Sequence, residues 1–188
     1  MARHNMSKME LLRRFKEVKD IKANAGKAPF TGMATLCNYV LWKEEKWYQK
    51  KLAEYNQRVN ECDRMMDDGE ITLEEIQKRL WDKGGFEVRT VDEVQRHSGK
   101  TRSFAQQMER EIVEANNQIN DMSCRYILIH YQVLMDMGYG HKRLNRNMKY
   151  INSWLARVNH EGDMSIMQLH RELFEEAGIF IEMPNLRG

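Results

Sequence analysis

The stretch HSGKT, at His97 to Thr101, has the residue types that close a phosphate-binding loop, where glycine-rich backbone cradles phosphates and the lysine reaches the terminal ones. That loop also needs a glycine where Val94 stands, after a strand for which there is no pattern here. DDGEITLEE places Gly69 and Glu75 where a calcium loop has its turn glycine and its closing carboxylate. The two opening ligands would then be Arg64 and Met66, which cannot hold a hard cation. Histidines at 4, 97, 130, 141, 160 and 170 form no HxxxH or ExxH pair, and no GxSxG serine elbow occurs. Without a local constellation of nucleophile, base and orienting group, the expectation is a protein that is not an enzyme and uses no cofactor or metal.

What the sequence offers instead is cationic. From Gly138 to His160 the charged residues are Lys142, Arg143, Arg146, Lys149 and Arg157, with no acid among them. Lys142, Arg146 and Lys149 follow i, i+4, i+7 spacing, and two residues of helix, roughly 200°, separate them from Leu144. They are expected to form a basic stripe opposite a core stripe, and phosphate oxygens or acidic side chains are its natural partners. The start of the chain is also basic: residues 1–27 hold eight Lys or Arg, including Arg13 and Arg14, against Glu10, Glu17 and Asp20. The candidate partner-binding or nucleic-acid-binding residues are therefore Lys142, Arg143, Arg146, Lys149, Arg13 and Arg14.

The elements that must carry these residues read as helices. Tyr48, Leu52, Tyr55, Val59, Cys62 and Met66 keep 4-3-4-3-4 spacing, which predicts a helix over about 45–67. Leu144, Met148, Ile151, Leu155 and Val158 give a second such stripe, and Phe104 to Val133 a longer one, either unbroken or broken near Asp121. Thr72 to Glu75 (TLEE) and Ser165 to Gln168 (SIMQ) are capping boxes, each opening a helix that closes at a glycine, Gly84-Gly85 or Gly178. LWDKGGFEV at 80–88 and LFEEAGIFI at 173–181 are then equivalent closing turns, each with an extended apolar tail that lies on the core or pairs with its counterpart. Type and spacing agree at an offset of 93, with a one-residue slip that sets Leu52 against Leu144. The expected fold is all-α: two tandem copies of a helical unit, 1–90 with a basic N-terminal helix and 103–188, joined by a polar linker at 91–102.

Apolar residues make 41% and charged residues 31%, with 2 prolines and 11 glycines, a composition suited to long helices. No apolar run approaches the roughly 20 residues of a membrane span, so no membrane partner is expected and the location expected is the cytosol. Cys37, Cys62 and Cys124 show no CxxC spacing and read as small buried apolar residues; most of the 14 methionines read as core fillers.

The run MGYGHKRLNRNMKYINSW, Met137 to Trp154, resembles a set of small helical proteins from phages and prophages of clostridia-like bacteria. Those proteins carry an aromatic-glycine turn, here Gly138-Tyr139-Gly140, then a basic pair and leucine, here Lys142-Arg143-Leu144, and later a hydroxyl-capped helix as in EGDMSIMQLHRELFEEAG. The resemblance covers about residues 125–180; the first half has Glu45-Lys46-Trp47 where the glycine turn would be. It implies an interaction protein acting in the host bacterial cytosol, of the anti-CRISPR kind, whose partner is the host's type II RNA-guided DNA nuclease. The alternatives are a nucleic-acid-binding regulator that uses the basic faces, and a structural phage component that self-associates through its apolar tails; the oligomeric state is open.

Overall fold

The computed structural model describes Arg13 and residues 27–86, 88, 104–160 and 164–181. Six helices of more than one residue, and no strand, occur among the described residues: α1 (Lys27–Lys43), α2 (Gln49–Asp67), α3 (Leu73–Gly84), α4 (Phe104–Asp136), α5 (His141–His160) and α6 (Ile166–Ala177). None is long and apolar enough to cross a membrane. The expected linker at 91–102 lies outside the described residues, as does the basic start except for Arg13, which is helical and exposed, and Lys27, which opens α1.

Two of the helices contain a mostly apolar segment with no polar face turned to water, and a segment of that kind must lie inside. In α1, Ala34 to Leu41 are buried without a break, and in α4 the same holds from Leu128 to Leu134. These two run side by side in the same direction, since Phe30 meets Tyr126 edge-on at 4.8 Å near one end while Glu45 reaches Tyr139 at the other. The amphipathic helices cover the pair in a crossed way. α2 and α3 pack chiefly on α4, whereas α5 and α6 pack chiefly on α1. Each half of the chain thus lays its outer helices over the central helix of the other half, and residues 27–88 and 104–181 share one core.

Side-chain bonds fix this crossing. Arg125 on α4 donates to Asp63 Oδ1 at 2.7 Å, to the Asp63 carbonyl at 2.9 Å and to Asp67 Oδ1 at 2.7 Å, tying α4 to the last turn of α2. Tyr39 on α1 donates its hydroxyl to Glu172 on α6 at 2.7 Å.

Local geometry is matched between the halves. The outer helices α3 and α6 are each 12 residues long and lie 93 positions apart (73 to 166, 84 to 177). Both open with a complete capping box, and both close at a left-handed glycine, Gly85 at φ 56° and Gly178 at φ 66°. Beyond them Gln77 Nε2 donates to the Val88 carbonyl at 3.3 Å and His170 Nε2 to the Ile181 carbonyl at 2.7 Å, again 93 positions on. Phe86, Val88 and Ile179 are buried, so the apolar tails lie on the core, and no strand pairing joins them among the described residues.

Two expectations are corrected in detail, and one open alternative is settled. Tyr48 does not belong to the α2 stripe: it precedes the helix and is 66% exposed. α4 runs unbroken through Asp121. In α5 the buried row is Leu144, Asn147, Ile151 and Trp154, while Met148, Leu155 and Val158 flank it half-buried. That row sits 92 positions after Leu52, Tyr55, Val59 and Cys62, in keeping with the one-residue slip. Met33, Met65, Met66, Met135, Met137 and Met148 pack at the core margin as fillers. All three cysteines are free; Cys37 and Cys62 are buried and Cys124 half-buried.

Candidate nucleic-acid interface

The basic stripe stands where helix geometry puts it. Leu144 is fully buried, and Lys142, Arg143, Arg146 and Lys149 are exposed on the outer face of α5. Among the described residues no acid lies within ion-pair distance of Lys142 or Lys149. Arg157 lies over the Trp154 ring, its guanidinium carbon 4.2 Å from the centroid, further along the helix. Of the six candidate cations, the fold brings these four on α5 together; Arg13 is helical and exposed, and Arg14 falls outside the described residues.

The expectation that these cations stand without internal neutralisation is only half met. Glu45, in the turn after α1, slides its side chain beneath them until it is 3% exposed. Its carboxylate accepts from Arg146 at 3.1 Å, lies 3.6 Å from the Arg143 guanidinium, and accepts the Tyr139 hydroxyl at 3.3 Å. Hydrogen bonding and attraction to Glu45 raise the Arg146 pKa still further. Burial, with Glu45 beside it, pushes the Tyr139 phenol up to about 12. The stripe therefore holds two kinds of cation: Arg143 and Arg146, anchored by a buried acid, and Lys142 and Lys149, facing solvent.

The glycine turn that carried the resemblance builds this anchor. Gly138 takes φ 87°, which turns the chain so that Tyr139 folds inward to 2% exposure and its N–H reaches the Leu134 carbonyl at 2.9 Å. The guanidinium of Arg143 then covers the Tyr139 ring at 3.8 Å.

The three histidines whose contacts are described, His130, His141 and His170, are each hydrogen-bonded within the fold. His130 is fully buried on α4. Its Nδ1 accepts from the Tyr55 hydroxyl at 2.7 Å, and its Nε2 donates to Asn147 Oδ1 at 2.9 Å. Tyr55 in turn accepts from the Tyr126 hydroxyl at 3.1 Å. This chain of bonds satisfies one tautomer throughout, and desolvation lowers the imidazole pKa to about 4. Sealed in this way, His130 meets no substrate and is a structural group. His141 and His170 bond backbone carbonyls, of Gly84 and Ile181. No group of three His, Cys, Asp or Glu among the described residues could hold a metal ion.

Two hollows, of about 640 Å³ beside Trp81 and Tyr131 and about 410 Å³ beside Phe30 and Tyr126, sit at corresponding places in the two halves. Their polar linings are amides, the hydroxyl-bearing Thr31, Tyr126 and Tyr131, the Trp81 indole and His141, with no carboxylate to pair with it. Sequence reasoning missed Glu45 and the contact of Trp47 with Tyr139; the one signal available was that Glu45-Lys46-Trp47 occupies the place of the glycine turn.

The chain matches no protein-family model, no curated protein and no solved structure.

Proposed function

We infer that this chain is a non-enzymatic binding protein whose basic face engages nucleic-acid phosphate, either free or held by a nuclease that uses it. The observation that carries this reading is the pair of exposed, acid-free lysines, Lys142 and Lys149, beside Arg143 and Arg146 on α5. Cations on one face add their fields, and phosphate neutralised by them releases counterions, which drives association.

The resemblance at Met137 to Trp154 supports a more specific form: a phage-encoded anti-CRISPR-type inhibitor of the host's type II RNA-guided nuclease, acting in the bacterial cytosol. The basic face limits how such inhibition would work. The channel that this kind of nuclease offers to DNA is itself positively charged. A cationic face does not enter it in place of DNA; it meets the guide RNA, the heteroduplex backbone or the incoming duplex. The same lysines support the second reading, a nucleic-acid-binding regulator. We also read the two halves as copies of one helical unit, supported by the matched caps, helix ends and tails.

The test is a cleavage assay in which the protein is titrated against guide-loaded type II nuclease at two salt concentrations, beside a gel shift on bare DNA. Inhibition near equimolar protein with little shift of bare DNA supports the inhibitor. A salt-dependent shift without inhibition supports the regulator. Neither effect would overturn both.

A further inference from the structure

The candidate cations on α5 belong to the second half of the chain, but the turn that precedes them lies against its counterpart from the first half. The rings of Trp47 and Tyr139 are 5.9 Å apart. Each is covered by a cation from the first turn of the helix that follows: Lys51 Nζ lies 4.0 Å from the Trp47 centroid, and the Arg143 guanidinium 3.8 Å from that of Tyr139. The rings and their cations are separated by the same 92 positions (47 to 139, 51 to 143). Equivalent residues that touch must straddle an axis, so an approximate two-fold runs between these rings.

Around that axis stand Lys46, Lys50 and Lys51 from one side and Lys142, Arg143 and Arg146 from the other, all exposed except the half-buried Lys51. The acids at this end are occupied. Glu45 is buried under the arginines, Glu44 accepts the Trp154 indole N–H at 2.9 Å, and Asp136 accepts the Gln132 amide at 2.9 Å. Asp136 is exposed and bonded to a neutral amide, so it keeps its charge, but on both sides of the axis the cations outnumber the exposed acids.

The placement of these cations also runs against helix stability. A helix start favours acids, and α3 duly has Glu74 and Glu75 in its first turn. The first turns of α2 and α5 hold Lys50, Lys51, Lys142 and Arg143 and no acid. Lys51 and Arg143 gain ring contacts there, and Arg143 a buried acid, but Lys50 and Lys142 have no such contact among the described residues, and cations kept at these helix starts mark a surface shaped by more than folding.

We propose that this end of the molecule is a bipartite docking surface for a nucleic-acid duplex, each half of the chain presenting cations to one strand. The proposal rests on the reading of the α5 face as phosphate-binding and extends it to the first half. A duplex is the form that fits, because its antiparallel backbones are related by local two-fold axes, which symmetric binders exploit. A single strand is held chiefly by stacking its bases on exposed aromatic rings. Here Trp47 and Tyr139 are 3% and 2% exposed and carry cations on their faces, and the exposed Tyr48 has Gly140 as its counterpart, so the surface offers a lone ring on one side and no row of platforms for successive bases.

The test titrates the full-length protein into a labelled DNA duplex of about two helical turns, and into one of its strands, across a series of salt concentrations. It compares the parent with Lys46→Gln/Lys50→Gln in the first half and Lys142→Gln/Lys149→Gln in the second, all exposed lysines, with folding checked by circular dichroism. The duplex is expected to bind more tightly than the strand, and each double variant to make the log–log salt slope shallower by about 2. If the second pair weakens binding while the first changes nothing, the bipartite surface is overturned and the reading of the α5 face stands. A single strand bound as tightly as the duplex also overturns it. Failure of the parent to bind either nucleic acid overturns the duplex surface and leaves, of the α5 reading, only the form in which the phosphate is held by a nuclease.

Discussion

The turns that follow α1 and α4 end alike by different routes, through residues 44–48 in the first half and the one-residue-shorter 137–140 in the second. In the second half Gly138 supplies the positive φ of 87°; in the first, Lys46 adopts φ 56°, the one non-glycine residue in that region among the described residues. Each turn ends with an inward aromatic residue whose N–H returns to the preceding helix, Trp47 to Leu41 at 3.0 Å and Tyr139 to Leu134 at 2.9 Å. Both turns therefore need the positive φ, but neither depends on a glycine to reach it. The helix ends and the buried rings hold it, strongly enough to keep a lysine in a conformation that costs roughly 1–2 kcal/mol. The difference between the turns lies in charge. Glu45 precedes Lys46, whereas Met137 precedes Gly138, so the first half supplies the buried anion that organises the arginines of the second.

The severest way to break this comparison is to separate its members. Because the outer helices of each half cover the central helix of the other, fragments 1–98 and 99–188 expressed apart are expected to lose most of their cooperative structure, and mixing them to restore it. Circular dichroism melts of each fragment and of the mixture check this; two fragments that each melt cooperatively as monomers would contradict the shared core.

A second break uses the position where α1 has Cys37 and α4 has His130, both fully buried. The pKa of His130 is lowered to about 4 from an ordinary 6.5, so the unfolded chain binds the proton first. Its contribution to stability is whole above about pH 6.5 and is lost as the pH falls toward 4, on the order of 3 kcal/mol. Urea unfolding at pH 7 and pH 4.5 should show the loss, and His130→Gln should remove that part of the pH dependence while lowering stability at neutral pH.

Glu45→Gln sharpens the charge contrast. It should cost about 1 kcal/mol of stability through the weakened Tyr139 and arginine bonds. The same change should tighten polyanion binding and steepen its salt dependence, because it frees Arg143 and Arg146. Opposite signs in a thermal melt and a binding titration are the signature; a parallel loss of both would show that the acid only positions the arginines.

The smallest effect is at the turns themselves. Lys46→Gly should stabilise by about 1 kcal/mol by relieving the left-handed backbone. Gly138→Ala should cost a similar amount although a Cβ there meets nothing within 4 Å. Thermal melts of the two variants beside the parent check both signs.

Features set by near neighbours in the chain were legible in the sequence, and features set by distant ones were not. Capping boxes and closing glycines are three- and twelve-residue affairs, and they stand where spacing placed them. The exposed face of α5 followed from helical period alone. Its core row lies one column away from the apolar stripe, because Asn147 and Trp154 look like surface residues until His130 and Glu44 bond their polar atoms in the interior. Nothing local could announce Glu45, whose partner Arg146 lies 101 residues on. The crossing of outer helices over the opposite central helix was equally hidden, since an apolar stripe states that a face is buried and not which helix buries it.

That crossing has a consequence for assembly. Two separate chains that completed each other's cores in this way would owe their stability to mass action and would come apart on dilution. Carried on one chain, the encounter is intramolecular and its strength does not depend on how much protein is present. Few copies per cell are then enough to keep every molecule folded, and the two sides of the pair are free to differ, as Glu45 and Met137 do.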